Sequence, residues 1–236
     1  MSKDKKYSKE ICNTFNQIDQ IIGILYRLSL SSGANQPVYK PSRNKKGSIL
    51  SIEIPKFLPE YILDDIFYQE MWIKMNKKRQ YSCKMIDGGL ITFLYTFDLK
   101  KSKLIKSRLS YFPSYDHPIF DSHDNFEGYI KDYIYLDAFT KTSYPAAFRF
   151  DYDASAAKDI IHPASHFTLG QFENCRIPVY SPLTPFEFMD FVIRNFYNKF
   201  YSSWNDEIKK VIKKNNFKFK PTITNNEKKL IYLNKI

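Results

Sequence analysis

Glycine is scarce in this 236-residue chain, at seven residues, and no G-x-x-x-x-G-K-[ST] or G-x-G-x-x-G arrangement occurs. Loops that wrap a phosphate in backbone N–H groups need such spacing, so P-loop and dinucleotide-binding readings have no support. Cysteine is sparser still. Cys12, Cys83 and Cys175 lie far apart, are odd in number and form no C-x-x-C pair, which leaves zinc-ribbon and dithiol redox chemistry without ligands. They read as reduced structural thiols of a cytosolic protein. Long apolar runs are also missing: no stretch of about 18 apolar residues occurs, and "MSKDKKYSKEICNTF" has no apolar signal-peptide core. The expectation is a soluble, cytoplasmic protein with no membrane partner.

Aromatic residues, by contrast, make up 17% of the chain and hydrophobic residues 43%, enough to bury a sizeable core. The length suits one domain, 1–236. Within it the pattern separates an N-terminal helix and loop (1–45), a sheet-centred core (46–204) and a basic C-terminal extension (205–236). The net charge of +11 calls for an acidic partner, nucleic acid being the commonest. A lysine-rich surface that simply solvates the fold is the plainer alternative. The excess is uneven: residues 199–236 carry ten lysines against three acids.

Residues 8–30 have the spacing of an amphipathic helix, with Ile11, Phe15, Ile18, Ile22 and Leu25 on one stripe and Asn, Gln, Asp and Arg opposite. "NQPVYKPSRNKKG" reads as a polar loop with two prolines, and "SILSIEI" as a strand. A second helix is expected from near Pro59 to about Asn76, burying Ile62, Ile66 and Trp72. "QYSCKMI", "LITFLYTFD" and "KLIKSRLSYF" are strand-like, with Asp87-Gly88-Gly89 turning the first into the second. The third alternates Ile105, Leu109 and Tyr111 with Lys106, Arg108 and Ser110, so one of its faces is wet or meets a polar ligand. Further strands are expected at about Ala146–Tyr152 and His166–Phe172. Thr184, Pro185 and Glu187 then form a capping box that opens the clearest helix, with Phe188, Phe191, Val192, Phe196 and Phe200 along its buried side. These elements predict an α+β fold: a mainly antiparallel sheet of about five or six strands, packed with an N-terminal helix, a second helix and a long C-terminal helix.

The stretch "RFDYDASAAKDIIHPASHFTLGQ" (149–171) concentrates the chemistry. Strand alternation sends Arg149, Asp151 and Asp153 one way and Phe148, Phe150 and Tyr152 the other. If the next strand pairs antiparallel and buries Phe167 and Leu169, His166 and Thr168 land on the polar side, with His162 in the loop before. Three chemistries fit. Metal-independent RNA cleavage needs a base, an acid and a cation for the phosphorane; His162 and His166 with Arg149 suit it, and Asp151 would orient a histidine. A divalent metal on Asp151, Asp153, His162 and His166 is the second. "HPASH" has the i, i+4 histidines of zinc hydrolases, but it lacks their glutamate, and Pro163 opposes a helix there. A structural cluster is the third. His117 and His123 read as ordinary surface residues.

Arg176, just upstream of the capped helix, is a second candidate phosphate ligand; a salt bridge to Glu173 or Glu187 competes with that role. In the basic extension Lys209, Lys210, Lys213 and Lys214 suit a nucleic-acid backbone, and Phe217, Phe219 and Tyr232 suit stacking of unpaired bases. A loosely held, solvated tail is the alternative.

"FRFDYD" and "HPASHFTLGQFENCRIPVYSPLTPFEFMDFVIRNFY" together resemble the C-terminal signature of a bacterial family of unknown function, the one numbered 2290. The likeness is specific over residues 146–198 and looser over 80–112. It implies that Arg149, Asp151, His162, His166 and Arg176 lie on the family's motif. Families of this kind are often encoded beside defence or mobile-element genes, so the resemblance implies a defence or toxin-like role. The expected function is therefore action on nucleic acid, RNA before DNA, by a metal-free ribonuclease needing no cofactor. The alternatives are a non-catalytic subunit bound to a partner protein encoded nearby or to nucleic acid, and a metal-dependent nuclease.

Overall fold

The computed structural model describes residues 7–44, 47–58, 67–115, 146–170 and 174–234. Among them are the strands β1 (Ser31–Ala34), β2 (Val38–Asn44), β3 (Gly47–Glu53), β4 (Cys83–Met85), β5 (Leu90–Asp98), β6 (Lys103–Phe112), β7 (Phe148–Asp153), β8 (Ser165–Leu169) and β9 (Ile177–Pro178). The helices are α1 (Lys9–Arg27), α2 (Tyr68–Lys77), α3 (Pro185–Phe196) and α4 (Tyr201–Asn215). The fold is α+β, as the pattern predicts, and the sheet is antiparallel throughout. Its strands run β1-β4-β5-β6-β7-β8-β9, and β5 is long enough for β4 to pair its first residues while β3, edged by β2, pairs its last.

Nine strands replace the expected five or six, and the additions explain themselves. β2 carries Pro41, which the sequence marks as a loop signal. Among the described residues its one partner is β3, so it stands as an edge strand of the described sheet, where a proline is tolerated. β1 and β9 span four and two residues, too short to show alternation. Of the second predicted helix, residues 59–66 lie outside the described residues, with Ile62 and Ile66. α2 begins at Tyr68 and buries Met71, Trp72 and Met75.

Alternation along the central strands divides the sheet into two faces. Ile91, Phe93, Tyr95 and Phe97 of β5, Leu109 and Tyr111 of β6, and Phe148, Phe150 and Tyr152 of β7 turn toward α1, α3 and α4 and form the main core. α1 is held more tightly than an amphipathic stripe requires. Gln17, on its nominally polar side, is buried: it donates from Nε2 to the Asn215 carbonyl at the end of α4 and accepts from the Phe186 N–H in the first turn of α3. One side chain thus satisfies orphan groups at two helix ends. On the opposite face α2 covers only one end, where Met71, Trp72 and Met75 meet Leu90 and Phe112.

The long C-terminal helix is not present as one element. The capping box forms as expected, with Thr184 Oγ1 accepting from the Glu187 N–H and Glu187 accepting from the Thr184 N–H. The helix then stops at Phe196. Tyr197 leaves helical geometry at φ −132°, ψ 43°, a short 3-10 turn (Asn198–Phe200) follows, and α4 starts at Tyr201 as a separate helix. Two buried anchors account for the break. The Tyr197 hydroxyl donates to the Asp87 carboxylate at 2.9 Å and lies 3.0 Å from the Tyr111 hydroxyl, while Trp204 is fully buried in the core beyond. Phe196 and Phe200, both predicted on the buried side, are 41% and 39% exposed. Gly89 makes this network possible, since a Cβ there would lie 2.9 Å from both Tyr111 Cε2 and the Tyr197 hydroxyl oxygen.

The three cysteines are free, and burial pushes the Cys83 thiol up to about 12, where it is no nucleophile. The tail is not loosely held. Phe217 and Phe219 pack edge to face at 5.1 Å, and Phe219 lies against Tyr95 inside the core. Leu233 forms a parallel bridge with Val179, and Thr222 shares a 2.8 Å hydrogen bond with Ser165 of β8. A second T-x-x-E box, Thr224 with Glu227, buries its glutamate near the end.

Candidate functional site

The register of β6, β7 and β8 builds the polar site on the sheet face away from the main core. Arg108 lies opposite Asp151, which lies opposite His166; one rung along, Ser110, Arg149 and Thr168 are aligned the same way. The predicted sharing of a face by Arg149, Asp151 and His166 follows from this pairing. Asp151 is the hub. Arg108 donates its Nε–H to Oδ1 at 2.8 Å and Arg149 its Nε–H to Oδ2 at 2.6 Å, while His166 Nε2 stands 3.8 Å from Oδ2.

These contacts set the charges. Burial alone would raise the Asp151 pKa, but the Arg108 and Arg149 guanidiniums outweigh it and hold the carboxyl below its ordinary range. Both arginines bind side-on, through Nε. Their terminal Nη groups make no hydrogen bond to any described residue, and the side chains are 21% and 27% exposed. A guanidinium fixed at one edge presents its other donors in a defined plane.

His166 is buried, and its Nδ1 lies 2.8 Å from the Pro163 carbonyl. A carbonyl only accepts, so Nδ1 carries the proton and Nε2 the lone pair of the neutral ring. Burial lowers the His166 pKa; the Pro163 carbonyl and Asp151 oppose that, and His162 and Arg176 add to it. The ring is therefore neutral at pH 7. His162 joins it with ring centroids 4.9 Å apart, and its Nδ1 is buried without a hydrogen-bond partner. Arg176 is partly exposed and near enough to His166 to act on its charge; among the described residues it donates a hydrogen bond to Asn174, and Glu173 lies outside them.

Other predicted members fall elsewhere. Asp153 points to the same face but pairs with Lys106 at 3.2 Å and accepts from Ser155. With both Asp151 oxygens taken by arginines, Asp151, Asp153, His162 and His166 do not converge. Among the described residues no group of three or more His, Cys, Asp or Glu is placed to hold a metal. Lys209 and Lys210 are on α4, across the sheet from Asp151, and pair within the helix with Asp206 and Glu207. Lys213 and Lys214 are on the same helix, and their side chains lie outside the described residues, as do His117 and His123. Phe219 is a core residue, and Phe217 is half-buried and packs on it edge to face. Arg108 is the member that sequence reasoning left out of the site. Its signal was the polar alternation Lys106-Arg108-Ser110, but nothing in the sequence sets that strand beside β7, 35 residues on.

The model of a protein family described as "Uncharacterized conserved protein (DUF2290)" matches residues 30–235. The chain belongs to this family. The match takes in every strand of the sheet and every arginine and histidine of the site, so the DUF2290 region includes the whole polar cluster. No curated protein and no solved structure matches the chain. Among the described residues of this DUF2290 member, no helix is long and apolar enough to cross a membrane.

Proposed function

We propose that this protein binds the phosphate backbone of nucleic acid, RNA before DNA, on the Arg108–Arg149–Arg176 face of its sheet. The observation that carries the reading is the side-on anchoring of Arg108 and Arg149 to one buried carboxylate. Asp151 fixes both guanidiniums and leaves their outer donors for a phosphodiester oxygen. Arg108, Arg149, Arg176 and Lys106 against Asp151 and Asp153 leave the face positive, and neutral His166 adds no charge. A defence or toxin-like setting, which the family resemblance implies, belongs to the same proposal, as does a partner protein within a larger assembly.

The geometry favours binding over cleavage in the state described. A base must reach the 2′-hydroxyl it deprotonates, and His166 is only 4% exposed. Ribonuclease activity is the second reading, and a specific observation supports it: a neutral imidazole with Nδ1 fixed, next to a second imidazole at 4.9 Å. Fluorescence anisotropy with a labelled single-stranded RNA tests the first reading, using Arg149→Gln and Arg176→Gln against the parent. Incubating the same RNA in EDTA tests the second: cleavage that His166→Ala and His162→Ala abolish, with folding intact, would establish the ribonuclease. Cleavage that EDTA stops would point to a metal.

A further inference from the structure

Between β7 and β8 the chain makes a small hairpin whose tip is Asp159-Ile160-Ile161. Lys158 and His162 close it through two backbone hydrogen bonds of 2.9 and 2.8 Å. Ile161 donates its N–H to the Asp159 carbonyl at 2.7 Å, across Ile160, whose φ is +66°. That is the γ-turn with a left-handed centre, a rare and strained form, and a β-branched residue is the least suited to it. Burial does not repay the strain. Ile160 is 47% exposed and Ile161 75% exposed. The tip is nevertheless held still: both Asp159 oxygens accept hydrogen bonds from the C-terminal segment, one from Thr224 and one from Asn226.

The position of this tip gives it a use. Ile161 directly precedes His162, whose ring is 4.9 Å from that of His166, which in turn reaches Asp151 and its two arginines. A rigid, apolar point thus stands at the border of the positive face. Proteins that open a base stack insert such apolar side chains between neighbouring bases while cations hold the backbone. We infer that Ile160 and Ile161 form a wedge that enters the base stack of an RNA held at the Arg108–Arg149–Arg176 face. This rests on the proposed binding role and adds to it the substrate class: a strand with stacked bases that must be parted. Lys158 in the hairpin and Lys229, whose charge acts on Asp159, outnumber the single carboxylate of the tip, which favours a nucleic acid over an apolar protein patch.

The test uses the full chain and one RNA carrying 2-aminopurine within a stacked run and a dye at its end. Anisotropy of the dye reports binding, and 2-aminopurine fluorescence reports unstacking. The parent protein is expected to raise the 2-aminopurine signal several-fold at saturation. Ile161→Ser and Ile160→Gly should lose most of that rise while their affinity stays within about threefold. Arg149→Gln should lose affinity itself. Both isoleucines are exposed, and an unchanged melting temperature for Ile161→Ser confirms an intact fold. Binding by the parent without any rise in 2-aminopurine signal would overturn the wedge and leave the binding role standing. Absence of RNA binding would overturn both. A protein that co-purifies with the parent but not with Ile161→Ser would reassign the tip to a protein interface.

Discussion

Arg108 and Asp151 face each other directly across β6 and β7, and the Arg108 Nε–H meets Asp151 Oδ1 at 2.8 Å. Arg149, two residues before Asp151 on the same strand, takes the other oxygen. Two guanidiniums that would repel are thereby held side by side at a partly exposed position. Replacing Asp151 by Asn removes the charge that holds them. The expected cost is about 2–3 kcal/mol, since breaking a buried pair leaves an uncompensated cation. Urea unfolding at pH 7 measures it, and an unchanged midpoint would show that the carboxylate does not organise the pair.

Acid should weaken the fold in two steps with the same sign. The His166 pKa is lowered below its ordinary 6.5, so the unfolded chain takes up that proton first. Its contribution is complete above about pH 6.5 and is lost as pH falls through the folded-state value. Asp151 is lowered below 3.8; its contribution is present above that pH and is lost on further acidification through the folded-state value. Melting temperatures from pH 8 to pH 3 should show both steps. His166→Asn should abolish the first alone, and a first step that survives this substitution would assign it to another group.

The joint between α3 and α4 depends on Tyr197. Tyr197→Phe removes a donor to Asp87 and a partner of Tyr111, and should cost about 1–2 kcal/mol. Gly89→Ala forces a methyl group against both tyrosines and should cost about 1–3 kcal/mol by crowding. The two residues touch, so the double variant should cost less than the sum of the singles. Strict additivity would mean that the network does not act as a unit.

Strain at Ile160 should be recoverable as stability. Glycine adopts positive φ freely, and relief of strain outweighs its extra chain entropy, so Ile160→Gly should stabilise by about 1 kcal/mol. Thermal unfolding checks this. A lower melting temperature would show that the turn is not strained.

The strand pairing at the site was readable because β7 and β8 are short, close in sequence and patterned on both faces. Phe148 and Phe150 fix which side of β7 meets the main core, and the alternation then places Arg149, Asp151 and His166; on β8 the expected burial of Phe167 and Leu169 does not hold, since His166 and Thr168 are buried while Phe167 is half-buried and Leu169 is 40% exposed. Arg108 was hidden because its partner strand enters from before the 113–147 stretch, and no local pattern reports a long-range neighbour. The extra strands failed for another reason: Pro41 is a loop signal that an outer edge tolerates, and β1 and β9 are too short for a period. The C-terminal helix was predicted whole because its apolar spacing continues through Tyr197. The break comes from a tertiary hydrogen bond to Asp87 that spacing does not encode. The tail's lysines drew attention by number, yet Phe219 among them is buried in the core with Phe217 packed on it, and Lys209 and Lys210 pair with acids of their own helix.

The central claim is that the guanidiniums around Asp151 grip nucleic-acid phosphates. Its most direct measurement is the salt dependence of affinity for a single-stranded RNA, from 50 to about 200 mM salt. Removing two phosphate contacts with the Arg149→Gln, Arg176→Gln double variant should weaken binding at least tenfold at low salt. The log–log slope should become shallower by about 1.4, at roughly 0.7 per contact on a single strand. A folded double variant with unchanged affinity and slope would contradict the account.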